Sequence, residues 1–270
     1  MIDFAFIDSG VGGIPYMTCL LKKNPGADCV YVADNANFPY GQKSHEHVVG
    51  CVLPLVQKIK EKFEPRVIVL ACNTISVNAL DVLRQKVPDV IFVGTVPAIK
   101  LAASVSAKKR IGLLATRATV ENPYNIELKN KFAADCQMIC RADPDLIEFI
   151  ENKGFGAAPE ECLQAVQPAV SFFRKQDCDV IILGCTHFLN IREHIEQACA
   201  PDIKVVDSVD GVVRHALEVA GLDNTGETGP DSVEKKIPRL YITKSQDMLN
   251  CNQYKNICFS LGVEFKGVIE

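Results

Sequence analysis

The chain is 270 residues long, enough for one large or two medium α/β domains, and it is 48% hydrophobic and 23% charged, an ordinary balance for a folded protein. Its net charge of -4 leaves no basic footprint for nucleic acid, and no apolar run approaches the roughly 18 residues that span a bilayer. The first segment carries Asp3 and Asp8 and no basic leader, so a soluble, cytoplasmic protein without a secretory signal is expected.

Ile2–Ile7 is predicted as a strand, followed by the glycine-rich turn Asp8-Ser9-Gly10-Val11-Gly12-Gly13 and a helix over Ile14–Lys23, with Pro15 suited to its first turn. The turn lacks the glycine spacing of a dinucleotide fingerprint and has no P-loop lysine, so no nucleotide site is expected there. Cys29–Ala33 is the next strand, and the polar loop Asp34–Ser44 holds Pro39-Tyr40-Gly41. Val48, Val52, Val56, Ile59 and Phe63 recur at helical spacing, which predicts an amphipathic helix bent at Pro54, with His45 and His47 in its cap region. A strand over Val67–Leu70, a helix near Ser76–Lys86 and a strand at Val90–Val93 complete this half.

After Val96-Pro97 the pattern restarts. A helix over Ala98–Ser106 leads to a strand at Ile111–Ala115, a polar turn at Thr116–Thr119 and a helix carrying Tyr124, Leu128 and Phe132. A strand at Cys136–Cys140 and a short helix at Asp145–Asn152 come next. A helix marked by Leu163, Val166, Val170 and Phe173 then delivers the chain to the strand Val180–Leu183. Ile203–Val206 reads as a strand, Gly211–Ala220 as a helix and Asn224–Asp231 as a mobile loop. Arg239–Thr243 and Val263–Phe265 read as late strands around a helix near Gln246–Leu261. The alternation predicts an α/β fold of two similar domains, with mostly parallel sheets flanked by helices and the active site in the interdomain cleft. Residues 1–97 with 208–270 form the first domain, completed by the C-terminal segment, and residues 98–207 form an inserted second one.

Twelve cysteines are present, and most are read as small buried hydrophobes. Cys19, Cys51, Cys162 and Cys199 fall in helices. A disulfide framework is not expected in a chain with an ample core and no export signal. No Cys-x-x-Cys pair occurs, so no metal is expected. Cys72 and Cys185 stand apart. Each follows a β-branched run, Val67–Leu70 or Val180–Leu183, and precedes hydrogen-bonding residues, Asn73-Thr74 or Thr186-His187. Such runs are strands buried on both faces, and ligands of open α/β sheets bind at the carboxyl edge where these cysteines sit. A thiolate is a good base near helix N-termini, where free N–H groups also hold carboxylates. One thiolate and one thiol on opposite faces of a carbon acid can remove a proton from one side and return it on the other, which is racemisation without a cofactor. Asp8 and His187 are the candidate proton handlers beside them, although Asp8 also reads as a helix cap and His187 as a structural histidine.

With these stretches in hand, the chain resembles the glutamate racemases of the cofactor-independent aspartate/glutamate racemase superfamily. The resemblance rests on Phe6-Ile7-Asp8-Ser9-Gly10-Val11-Gly12-Gly13, Pro39-Tyr40-Gly41 with Lys43-Ser44, Ala71-Cys72-Asn73-Thr74 and Leu183-Gly184-Cys185-Thr186-His187. It implies that Cys72 and Cys185 are the catalytic acid/bases, Cys72 serving the D enantiomer with Asp8 and Cys185 the L enantiomer with His187. Ser9, Pro39, Tyr40, Gly41, Asn73, Thr74 and Thr186 would bind the amino acid, and Thr116 and Thr119 are candidate ligands with them. A glutamate supporting the second cysteine is implied; Glu151 fits best and Glu148 is its rival. The implied role is the supply of D-glutamate for bacterial peptidoglycan, with glutamate as partner and no cofactor. The chain opens at its first strand, so the topoisomerase inhibition seen in some members is not expected. A homodimer is one expected assembly, the oligomeric state being open. The alternatives are an aspartate or other amino-acid racemase of the superfamily, and a non-catalytic amino-acid-binding protein.

Overall fold

The computed structural model describes residues 1–223, 235–245 and 248–270. The loop expected over Asn224–Asp231 and the predicted helix start at Gln246 lie outside them. In chain order the elements are β1 (Ile2–Asp8), α1 (Ile14–Lys23), β2 (Cys29–Ala33), α2 (His45–Phe63), β3 (Pro65–Leu70), α3 (Asn73–Lys86), β4 (Ile91–Gly94) and α4 (Ile99–Val105). There follow β5 (Arg110–Ala115), α5 (Arg117–Glu121), α6 (Pro123–Phe132), β6 (Gln137–Ala142), α7 (Pro144–Phe149), α8 (Pro159–Lys175), β7 (Val180–Leu183) and α9 (Arg192–Cys199). The chain closes with β8 (Lys204–Val206), α10 (Val209–Val219), β9 (Arg239–Ile242), α11 (Met248–Leu261) and β10 (Glu264–Val268). It divides into two compact units, Met1–Thr95 with Val209–Glu270, and Val96–Ser208.

The first unit is built on a sheet of order β10-β9-β2-β1-β3-β4, parallel throughout. Parallel strands need both faces covered, and β1, β2 and β3 accordingly read as nearly unbroken apolar runs. Val48, Val52, Val56, Ile59 and Phe63 of α2 all enter one core with Ile7, Val32, Leu70 and Ile75. The helix runs unbroken through Pro54. The register aligns the strand ends: Asp8 pairs with Ala33, Ile7 with Leu70, and Ala33 with Ile242. Residues just past these ends therefore share one carboxyl edge.

The second unit repeats the plan on a smaller scale, with a parallel sheet of order β6-β5-β7-β8. Leu114 pairs with Leu183 and Ala115 with Ala142, so Thr116, Asp143 and Cys185 all follow strand ends at one edge. The predicted polar turn Thr116–Thr119 is instead the start of a helix: Thr116 caps α5, its Oγ1 accepting from the Thr119 N–H, as a threonine at this position can. Likewise α3 begins at Asn73, three residues before its predicted start, directly after the cysteine. Among the described residues no helix is long and apolar enough to cross a membrane.

Candidate active site

In the first unit the candidate residues gather at the carboxyl edge of β1, β2 and β3. Cys72 is buried and extended (φ -148°, ψ 119°) in the cap position of α3. The Ser76 hydroxyl, one turn later, donates to the Cys72 carbonyl at 3.0 Å. It also accepts from the Thr95 N–H at 2.9 Å, tying the first turn of α3 to the end of β4. Asn73 and Thr74 are buried beside it. Asp8 is fully buried and accepts at Oδ1 from the Ser9 N–H at 2.6 Å and from the Ser9 hydroxyl at 3.4 Å.

The glycine turn is held by a residue the sequence did not single out. The Tyr31 hydroxyl accepts from the Gly13 N–H at 3.0 Å and donates to the Gly10 carbonyl at 2.8 Å. This brings Gly13 so near β3 that a Cβ there would lie 2.4 Å from the Ala71 carbonyl oxygen and 2.6 Å from its methyl. Glycine is needed for this approach, whatever its φ. Gly13→Ala is expected to cost about 1–3 kcal/mol, as overpacking in a filled core does, and urea denaturation reads it. An unchanged midpoint would mean that the Ala71-Cys72 backbone yields freely.

Tyr40–Gln42 forms a 3₁₀ turn, with Pro39 extended in its cap position, packed against α3. The Tyr40 side chain is fully buried in the core cluster that contains Cys72. Its hydroxyl donates to Asp34 Oδ2. Burial, reinforced by the negative charge of Asp34, pushes the phenol far up, so it stays protonated. What Tyr40 and Gly41 can offer a ligand is therefore main chain. Pro39 and Gly41 are half-buried.

In the second unit Cys185 is buried and extended (φ -131°, ψ 137°), ahead of a 3₁₀ turn over Thr186–Ile191. Gly184 precedes it where a Cβ would lie 2.6 Å from Leu113 and 3.1 Å from the Leu114 carbonyl. That turn aims His187 back at the cysteine, with Nδ1 3.7 Å from Cys185 Sγ. The other ring nitrogen, Nε2, lies 2.8 Å from Glu151 Oε2. Burial opposes charge on His187, yet its hydrogen bonds to Cys185 and Glu151 and their negative charge prevail, raising its pKa well above 6.5. Glu151 lies in a single wider π turn at Ile150–Gly154 that continues α7, one turn after the buried Ile147. Glu151 is buried while Glu148, on α7, is exposed.

Thr116, Thr119 and Thr186 are buried at the same edge. The Thr116 hydroxyl donates to Thr119 Oγ1 at 3.0 Å, and the Asn125 amide donates to the Thr119 carbonyl. Nothing in the local sequence flags Asn125, whose contact depends on the turn from α5 into α6.

The other cysteines differ. All twelve are free thiols. Burial pushes Cys178 and Cys199 up to about 11 and Cys258 up to about 12, so these are packing residues that stay protonated.

The family model described as Asp/Glu/Hydantoin racemase matches residues 18–216. A glutamate racemase of Treponema pallidum (strain Nichols) is 38% identical over 268 residues, 99% of this chain and 97% of the relative. One from Proteus mirabilis is 37% identical over 209 residues, 77% of this chain and 72% of the relative. Among solved structures, Escherichia coli glutamate racemase in complex with L-glutamate and the activator UDP-MurNAc-Ala superposes with a TM-score of 0.84. It is 29% identical, covering 99% of this chain and 98% of that one.

Proposed function

The chain belongs to the Asp/Glu/hydantoin racemase family, and we propose that this amino-acid racemase interconverts L- and D-glutamate by two-base proton transfer between Cys72 and Cys185. The single observation that carries the mechanism is the matched placement of the two cysteines. Each is buried at a strand end, and each caps a helical turn that begins with hydrogen-bonding side chains. The substrate assignment is supported by the glutamate racemases that align with most of the chain.

Racemisation needs one proton removed from an α-carbon and one delivered to its opposite face. Cys185, with His187 and Glu151 behind it, takes the α-proton of L-glutamate, and Cys72, with Asp8 nearby, returns one from the other side. The roles reverse for D-glutamate. The mechanism requires Cys72 and Cys185 to act on opposite faces of a single substrate. The α-proton of an amino-acid zwitterion is much less acidic than a thiol, so the carbanion must be stabilised by fixed donors and shielded from water. Backbone N–H groups opening α3 and the turn after Cys185, with the hydroxyls of Ser9, Thr74, Thr116, Thr119 and Thr186, supply donors for the two carboxylates. The buried Asn73 Oδ1 has no hydrogen-bond partner among the described residues, which suits it to accept from the substrate ammonium. No step calls on a cofactor. The product D-glutamate would serve peptidoglycan synthesis.

Incubation with L-glutamate in D₂O, without added cofactor, tests the proposal. Optical rotation should fall to zero while deuterium enters the α-carbon. Because product receives its proton from a different thiol than the one that took the substrate's, early deuterium should appear in D-glutamate and not in recovered L-glutamate. Turnover of aspartate in place of glutamate would move the substrate within the family. No exchange with any amino acid would favour a binding protein.

A further inference from the structure

Resting on that reading, we infer that Thr243, in the C-terminal segment, is a positioning residue for the substrate site, acting through Asp34 on the Pro39-Tyr40-Gly41 turn. β9 adds to the sheet beside β2, with Ala33 opposite Ile242, so the residues that follow, Asp34 and Thr243, emerge together at the edge that carries Asp8 and Cys72. The Thr243 N–H donates to the Ala33 carbonyl at 3.1 Å. Its hydroxyl donates to Asp34 Oδ1 at 2.7 Å and accepts from the Ala36 N–H at 3.1 Å.

Asp34 is 2% exposed. Its carboxylate accepts from neutral donors: the Thr243 hydroxyl, the Tyr40 hydroxyl, and the Asn37 amide at 3.1 and 3.0 Å. Its own N–H donates to the Asp8 carbonyl at 2.8 Å. A buried carboxylate held by a few neutral donors is sensitive to the loss of any one of them. Asn35 closes the other side: its Oδ1 accepts from the Thr243 and Lys244 N–H groups at 3.0 Å each, and its amide donates to the Lys244 carbonyl at 2.7 Å. The continuous path is Thr243, Asp34, Tyr40 and then the start of α3, where Tyr40 and Cys72 share one core cluster. The segment after β9 thus sets where the Tyr40-Gly41 main chain stands.

Thr243→Val keeps the shape of the side chain and removes its hydroxyl, and Thr243→Ser restores it. KM for L-glutamate should rise about tenfold in T243V, the size of one lost hydrogen bond to a carboxylate, with kcat within about twofold, and T243S should recover the wild-type KM. The KM rise in T243V with Tyr40→Phe should be smaller than the product of the two single effects, because both act on Asp34. Where T243V does not accumulate as folded protein, Thr243→Cys, with similar volume and a weaker donor, carries the same comparison. Wild-type turnover with unchanged KM in these variants overturns the inference and leaves the glutamate assignment standing. So does a loss of kcat and melting temperature that serine does not reverse. A wild-type protein inactive on glutamate overturns both.

Discussion

Cys72→Ser and Cys185→Ser should each lower kcat/KM for glutamate racemisation by about 10²–10⁴-fold, the range for deleting a positioned acid or base, while far-UV circular dichroism stays that of the native fold. Serine nearly matches cysteine in shape, so although Cys72 packs in the core with Tyr40 and Ile75, the loss should be mainly one of proton transfer. Rates of racemisation cannot say which cysteine serves which enantiomer. L- and D-glutamate have equal free energy in water, so the equilibrium constant is one and every variant must lose the same factor in both directions. Exchange of the α-proton with D₂O escapes this constraint. The Cys72→Ser protein retains Cys185 and should wash deuterium into L-glutamate alone, without inversion. The Cys185→Ser protein should do so with D-glutamate alone. Exchange of both enantiomers by either variant would place a different group on the missing face, and near-wild-type racemisation by either serine variant would falsify the two-base assignment.

Much of this arrangement is legible in the sequence because it depends on short-range rules. β-branched runs ending in Ala71-Cys72 and Gly184-Cys185 announce strands that stop, and the residues after them begin helical turns. The choice between Glu151 and Glu148 is not local in that sense. Glu151 lies one turn after the buried Ile147 and turns inward with it, while Glu148 is exposed; what selects Glu151 is His187, 36 residues away in sequence, against which it is buried. The helix expected near Ser76–Lys86 begins at Asn73, and the Asn73 and Thr74 side chains are buried in its first turn. Tyr31 and Thr243 were invisible for a different reason. One reads as a core aromatic and the other as the end of a late strand, and each gains its role from a partner brought alongside by sheet register. The Thr243–Asp34 contact joins residues 209 apart in sequence.

Glu151→Gln should shift the proton balance of the second cluster and leave its shape. In the wild-type protein burial opposes charge on His187, but the hydrogen bonds and charges of Cys185 and Glu151 outweigh it and raise its pKa well above 6.5, which favours the imidazolium. A cation there supports an anionic sulfur at Cys185. The amide keeps a hydrogen-bonding atom near Nε2 but removes the charge, so burial gains weight and the His187 pKa falls. Activity that depends on the imidazolium should then decline at a lower pH, with kcat/KM at pH 8 reduced about a hundredfold, the lower end of what a positioned acid or base contributes. The stability signature has a definite sign. A group whose folded pKa is raised contributes stability that is fully present below about 6.5 and is lost as pH rises through the folded value. The wild-type advantage over Glu151→Gln in urea should therefore be greatest just below pH 6.5 and shrink on the alkaline side. Titration of the His187 ring by NMR checks the cause directly. A His187 that remains neutral across pH 6–9 in the wild type would remove the imidazolium from the mechanism and leave Cys185 to rely on the backbone donors of the turn it opens.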